Sequence, residues 1–144
     1  MFRSFLQIFF LLILSCAILE AQSIRVIKKI SLKKDQQKKI FVKYDELSRV
    51  FTFRWTLYKN DGLVVFHTYD NSHYQNILYL NYKNQAFRVE LKTRGGNFYD
   101  VPYLLVKFKE FDFEKHKAVF EVFLYDKDEE IELKYPKNIV KAKK

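Results

Sequence analysis

Residues 51–57 read Phe-Thr-Phe-Arg-Trp-Thr-Leu, an unbroken alternation of apolar and polar side chains. A period of two marks a half-buried strand. It places Phe51, Phe53, Trp55 and Leu57 on one face and Thr52, Arg54 and Thr56 on the other. The pattern recurs at Phe87, Val89 and Leu91, at Leu104, Val106 and Phe108, and at Ala118, Phe120, Val122 and Leu124. Ile131 and Leu133 repeat it near the end. β-branched and aromatic residues dominate these runs, as strands prefer.

Turn signals separate the runs. Asn60-Asp61-Gly62 falls between 49–58 and 63–69, and Asp-Gly is a strong hairpin signal. Asp70-Asn71-Ser72 follows that strand, and Lys83-Asn84 divides 75–82 from 85–91. Arg94-Gly95-Gly96-Asn97 is a break, and Pro102 keeps 97–102 irregular. Glu114-Lys115-His116 and Asp126-Lys127-Asp128 are expected to close the last two hairpins, and Pro136 to end the last strand. Segment 38–44 has two readings. Ile40, Tyr44 and Leu47 fit helical spacing with Asp35 as a cap. Ile40, Val42 and Tyr44 also alternate with Lys39, Phe41 and Lys43, and two β-branched residues favour the strand. The result is about nine short strands at intervals of roughly 10–14 residues, with no strand–helix alternation. This predicts an all-β, antiparallel sandwich of about 7–9 strands, with a barrel as the other closure.

The first residues are of another kind. Arg3 precedes the apolar run from Phe5 to Leu14, the layout of a secretory signal. Ten residues of helix reach ~15 Å, half a bilayer core, so the run is short for a span. Leu19-Glu20-Ala21 before Gln22 gives a cleavage site, so 1–21 reads as a signal peptide. The alternative is Ile13-Leu14-Ser15-Cys16, which resembles the lipobox of bacterial lipoproteins, in which Cys16 would be lipidated. Ser15 and Cys16 match that pattern, Ile13 is a variant of it, and Leu14 departs from it. The remaining organisation is one domain over 22–136 and a basic tail over 137–144. Cys16 is the single cysteine, so the domain holds no disulfide despite an exported destination.

Composition enters where it excludes classes. With 49% apolar and 30% charged residues the chain is not disordered, and 3 Gly and 2 Pro exclude a linker-rich chain. Lys and Arg number 26 against 17 acidic residues, a net charge of +9. Removing 1–21 takes away Arg3 and Glu20, one of each sign, so the charge belongs to the mature surface. Basic pairs fall at Lys28-Lys29, Lys33-Lys34 and Lys38-Lys39. Basic residues interleaved with aromatics are also a mark of single-strand nucleic-acid binders, but export argues against that partner. Anionic lipid, lipopolysaccharide or an acidic envelope protein fits export better.

A search for chemistry returns little. His67, Asp70 and His73 are metal-ligand types, but no fourth ligand accompanies them. Asp126 to Glu130 is acidic, yet a calcium loop counted from Asp126 would need Gly where Ile131 stands and Glu where Lys137 stands. No Gly-x-Ser-x-Gly is present, Asp112 and Glu114 form a nonspecific carboxylate pair, and Gly95-Gly96 reads as a turn. The expectation is therefore no enzyme, no metal and no cofactor. Tyrosines on the strand faces opposite the core are expected to form an exposed binding surface with the lysines. The residues chosen for it are Lys28, Lys29, Lys38, Lys39, Tyr69, Tyr74 and Tyr103.

Two resemblances add to this. Trp55, the only Trp, falls in the third strand, where immunoglobulin-like sandwiches carry a buried Trp. Segments 24–32, 38–44 and 49–58 resemble the A, B and C strands of that fold, with Val42 and Phe120 in place of the usual disulfide. The signal, the Lys-, Phe- and Tyr-rich style, and Phe53-Arg54-Trp55-Thr56-Leu57-Tyr58 with Gly62-Leu63-Val64-Val65 resemble small exported proteins and lipoproteins of epsilonproteobacteria. That resemblance implies an immunoglobulin-like sandwich and a role at the cell envelope, periplasmic or lipid-anchored. The function expected is non-enzymatic binding of an envelope partner. The alternative is a periplasmic barrel holding a small ligand or lipid.

Overall fold

The computed structural model describes residues 24–92, 101–126 and 130–136. The signal segment with Cys16, the Gly95-Gly96 break, Lys127-Asp128 and the tail 137–144 lie outside the described residues. The described chain forms nine strands: β1 (Ile24–Lys33), β2 (Lys38–Tyr44), β3 (Leu47–Lys59), β4 (Gly62–Tyr69), β5 (Ser72–Tyr79), β6 (Ala86–Glu90), β7 (Tyr103–Asp112), β8 (Lys117–Tyr125) and β9 (Ile131–Lys134). They pair antiparallel in two sheets, ordered β1-β8-β7-β6 and β5-β4-β3-β2-β9. The fold is a β-sandwich of two open sheets, not a closed barrel. Segment 38–44 is a strand, and Asp35, at φ 60°, is a turn residue rather than a helix cap.

Local chemistry sets the turns. Asn60-Asp61 and Asp70-Asn71 are two-residue loops with positive φ at both positions, a conformation that Asn and Asp tolerate well. The first of these turns uses Asn60-Asp61 alone, and Gly62 already pairs with Lys59. Gly62 is there for space: a Cβ would stand 3.0 Å from the Tyr79 ring. The second turn returns the chain within two residues, so β5 begins at Ser72 rather than near 75. The connection after β8 does not close a hairpin, because β9 pairs with β2 in the other sheet. The immunoglobulin correspondence also differs from the strand order observed. Its second and third strands lie in opposite sheets, whereas β2 and β3 are hydrogen-bonded neighbours.

Between the sheets lies the core. Phe51, Phe53, Phe108 and Phe120 are fully buried among Ile40, Val42, Leu63, Leu104 and Leu124. Phe53 meets Phe120 edge-on at 5.3 Å across the sheets, a favoured ring geometry. Each fully buried Phe contributes about 1.5–3 kcal/mol of transfer free energy. Trp55 is also buried, and its Nε1–H donates to the Leu32 carbonyl at 2.8 Å, tying β3 to β1 of the opposite sheet.

Three bulges interrupt the alternation, at Ile27, Thr56 and Lys109. An extra residue flips every later side chain to the other face. Leu57 therefore does not join Phe51, Phe53 and Trp55 inside: it is 49% exposed, and Tyr58 turns inward instead.

Candidate functional site

The bulges at Thr56 and Lys109 act at the same end of the sandwich. They turn Tyr58 and Phe111 toward each other, stacked at 4.2 Å and 7°. Trp55 meets Phe111 edge-on at 5.5 Å from below. Phe113 closes the group from the β7–β8 hairpin, 5.0 Å from Phe111 and 5.8 Å from Tyr58, and is 66% exposed. Asp112 holds that hairpin by accepting from the Lys115 backbone N–H at 2.9 Å, a bond that lowers its carboxyl pKa. His116, at φ 48°, completes the turn. Burial, then the Asp61 carboxylate at 3.4 Å, raises the Tyr58 phenol. With Lys34, Leu57 and His116 these rings line an open hollow of about 330 Å³.

Lysines ring the same end. Lys33 and Lys34 leave β1, Lys38 opens β2, Lys59 ends β3 and Lys83 sits in the β5–β6 loop beside Tyr82. None of these five makes an ion pair among the described residues. Tyr82 is 70% exposed. Cations and exposed rings thus share one surface.

At the opposite end the turns carry carboxylates that hold cations within the fold. Arg25 pairs with Asp126 at 2.8 Å, Lys92 with Asp45 at 3.5 Å, and Arg49 with Asp70. Away from this end, beyond β9, Tyr135 is partly buried with its hydroxyl unpartnered among the described residues, and burial pushes its phenol up to about 12.

Beside this end the edges of the two sheets, β5 and β6, part to leave a cleft of about 790 Å³. Its floor is aromatic. His67 is 5% exposed, stacked on Phe87 at 4.2 Å and on Tyr74 at 5.1 Å. Burial lowers the imidazole to about 4, so it is neutral at pH 7. Its Nε2 is 2.8 Å from the Asn76 amide nitrogen, which places the ring proton on Nδ1, and Nδ1 has no partner. His67 lies in β4 and His73 in β5. Among the described residues no three His, Cys, Asp or Glu side chains converge as a metal site would require.

The seven surface residues read from the sequence do not form one patch. Lys28 lies over the Tyr135 ring at 4.3 Å, and Lys29 pairs with Glu110 at 3.5 Å on the outer face of β1. Lys38 belongs to the basic end, and Lys39 lies next to it on the outer face of β2. Tyr69 is a core residue whose hydroxyl donates to the Leu91 carbonyl at 2.8 Å, and burial raises its pKa. Tyr74 lines the cleft, 53% exposed. Tyr103 stacks on Tyr125 at 4.9 Å under Arg88, on the outer face of the other sheet. Missed were Tyr58, Phe111 and Phe113, whose meeting depends on two bulges and on the pairing of β7 with β8. The one signal available was Phe111-Asp112-Phe113 directly before a turn, where alternation leaves a ring at the tip.

No family model, curated protein or solved structure matches the chain.

Proposed function

We infer that this chain is an exported, non-enzymatic binding protein of the bacterial envelope, carried out by a signal over 1–21, which docks on an anionic lipid or lipopolysaccharide surface through its basic aromatic end. The observation that carries this reading is the coincidence on one end of exposed Phe113, Leu57 and Tyr82 with Lys33, Lys34, Lys59 and Lys83, which make no ion pair among the described residues. Each lysine near an anionic surface contributes about 1 kcal/mol, and rings settle at the headgroup level. Neither contribution requires a closed pocket or a catalytic group. Ile24 enters at the carboxylate-bearing end, so a chain cleaved after Ala21 brings its basic end to a membrane more freely than one tethered through Cys16.

Vesicle co-sedimentation of the mature chain tests this. Binding is expected to vesicles of equal parts phosphatidylcholine and phosphatidylglycerol and not to phosphatidylcholine alone. It should weaken as salt shortens the Debye length from about 10 Å at 0.1 M to about 3 Å at 1 M. Equal binding to both vesicles, or none to either, would refute it.

A further inference from the structure

Among the described residues the two sheets have four edge strands, and three are defended against pairing with another chain. β1 is broken by the bulge at Ile27 and carries Arg25, Lys28 and Lys29. β6 has five residues, with Arg88 and Glu90. β9 has four, with Glu132 and Lys134. Charge, shortness and bulges are the usual devices that keep a sheet edge unpaired. β5 uses none of them. Its eight residues, Ser-His-Tyr-Gln-Asn-Ile-Leu-Tyr, carry no acidic or basic side chain other than a histidine and no proline, and keep unbroken register with β4.

The ladder fixes which backbone groups face outward. Tyr69 and Ser72 close the two-residue Asp70-Asn71 turn, and hydrogen-bonded pairs alternate from there. Tyr74, Asn76 and Leu78 thus bond to β4, and His73, Gln75 and Ile77 turn their N–H and C=O groups outward. The Tyr79 N–H, next in that series, bonds outward to the Asn84 carbonyl, as the alternation requires. Directly inside this edge is the aromatic cleft of His67, Phe87 and Tyr74.

We propose that β5 receives an extended, uncharged segment of a partner protein as an added strand, whose alternate apolar side chains enter the cleft against His67 and Phe87. A row of alternating donors and acceptors is matched by another extended backbone, while pockets beside the edge select the side chains. Charged rim residues are already paired, Arg49 with Asp70 and Arg88 with Glu90, so the cleft selects for apolar rather than charged side chains. A second copy of this chain is the weaker occupant, because +9 on each copy opposes their approach. This proposal rests on the edge and the cleft and is independent of lipid binding at the other end.

The test is backbone amide hydrogen exchange on the mature chain with a short synthetic peptide alternating valine and threonine, alongside the same peptide N-methylated at alternate residues. The unmethylated peptide should slow exchange at His73, Gln75 and Ile77, whose amides exchange fast in the free chain. Methylation, or Gln75→Pro in the chain, should weaken binding about tenfold or more, the equivalent of one or two hydrogen bonds. Proline is tolerated there because that N–H makes no bond to β4. The exchange readout needs no variant, so it stands even if Gln75→Pro misfolds. Unchanged exchange at those amides, equal binding of the methylated peptide, or protection that appears in the chain alone together with a doubled mass would each overturn the proposal.

Discussion

The two ends of the sandwich are made of the same parts, tight turns closing antiparallel strands, yet they differ in how many cations they leave without a carboxylate. At the end that holds Asp45, Asp70 and Asp126, these three carboxylates hold Lys92, Arg49 and Arg25 in turn. At the other end Asp35 pairs with Arg54 and Asp112 with Lys115, but among the described residues Lys33, Lys34, Lys59 and Lys83 make no ion pair, and Phe113 and Tyr82 stand in solvent among them. The net charge of +9 is therefore not spread evenly over the sandwich. One end is mostly ion-paired, and the other carries lysines without a carboxylate among the described residues.

Acid should separate the two ends most strongly. Neutral His67 is buried beside the carboxylate end and takes a proton only at about 4, whereas the unfolded chain takes one near 6.5. Between those values the unfolded chain binds more protons. The stability linked to His67 is full above pH 6.5, falls through that window and levels off below about 4. The 6.5-to-4 shift corresponds to about 3 kcal/mol. Urea unfolding across that pH range should show this loss, and His67→Phe should abolish most of it. At the basic end, Trp55→Phe leaves the buried Leu32 carbonyl without its donor and should cost about 2 kcal/mol by the same unfolding measurement.

Smaller effects concern binding. Phe113→Ala removes a ring that is mostly in solvent, so unfolding should change by about 0.5 kcal/mol or less while affinity for anionic vesicles falls about tenfold. Lys34→Gln should reduce that affinity about fivefold, one cation's share at an anionic surface. Arg25→Gln breaks a surface ion pair at the opposite end. It should cost about 0.5 kcal/mol or less in stability and leave vesicle affinity unchanged. Equal loss of affinity from Lys34→Gln and Arg25→Gln would erase the distinction between the ends.

Much of the scaffold was legible in the sequence because alternation and turn chemistry are local. The runs around Phe53, Val106 and Phe120 became β3, β7 and β8, and Asn60-Asp61 and Asp70-Asn71 became hairpin turns. The bulges were not legible, since nothing in Trp55-Thr56-Leu57 announces that Thr56 is an extra residue, and simple alternation puts Leu57 on the face opposite to the one it takes. Tyr69 and Tyr74 illustrate a second limit. Both are tyrosines on neighbouring strands, yet one is a core residue bonded to Leu91 and the other lines an open cleft. That difference arises from the Asp70-Asn71 turn, which leaves β5 at the sheet edge. The basic aromatic end was visible only as separate pieces, because Lys34, Tyr58 and Phe113 are brought together by strands from both sheets.

The most direct test of the account is the orientation of the folded chain on a membrane. Amide signals recorded on anionic vesicles containing a headgroup spin label report distance from the surface residue by residue. The account predicts broadening at Lys34, Tyr58, Asp61 and Phe113, with Asp45, Asp70 and Asn71 unaffected. Broadening at Asp45 and Asp70 instead, or uniformly over both ends, would contradict it.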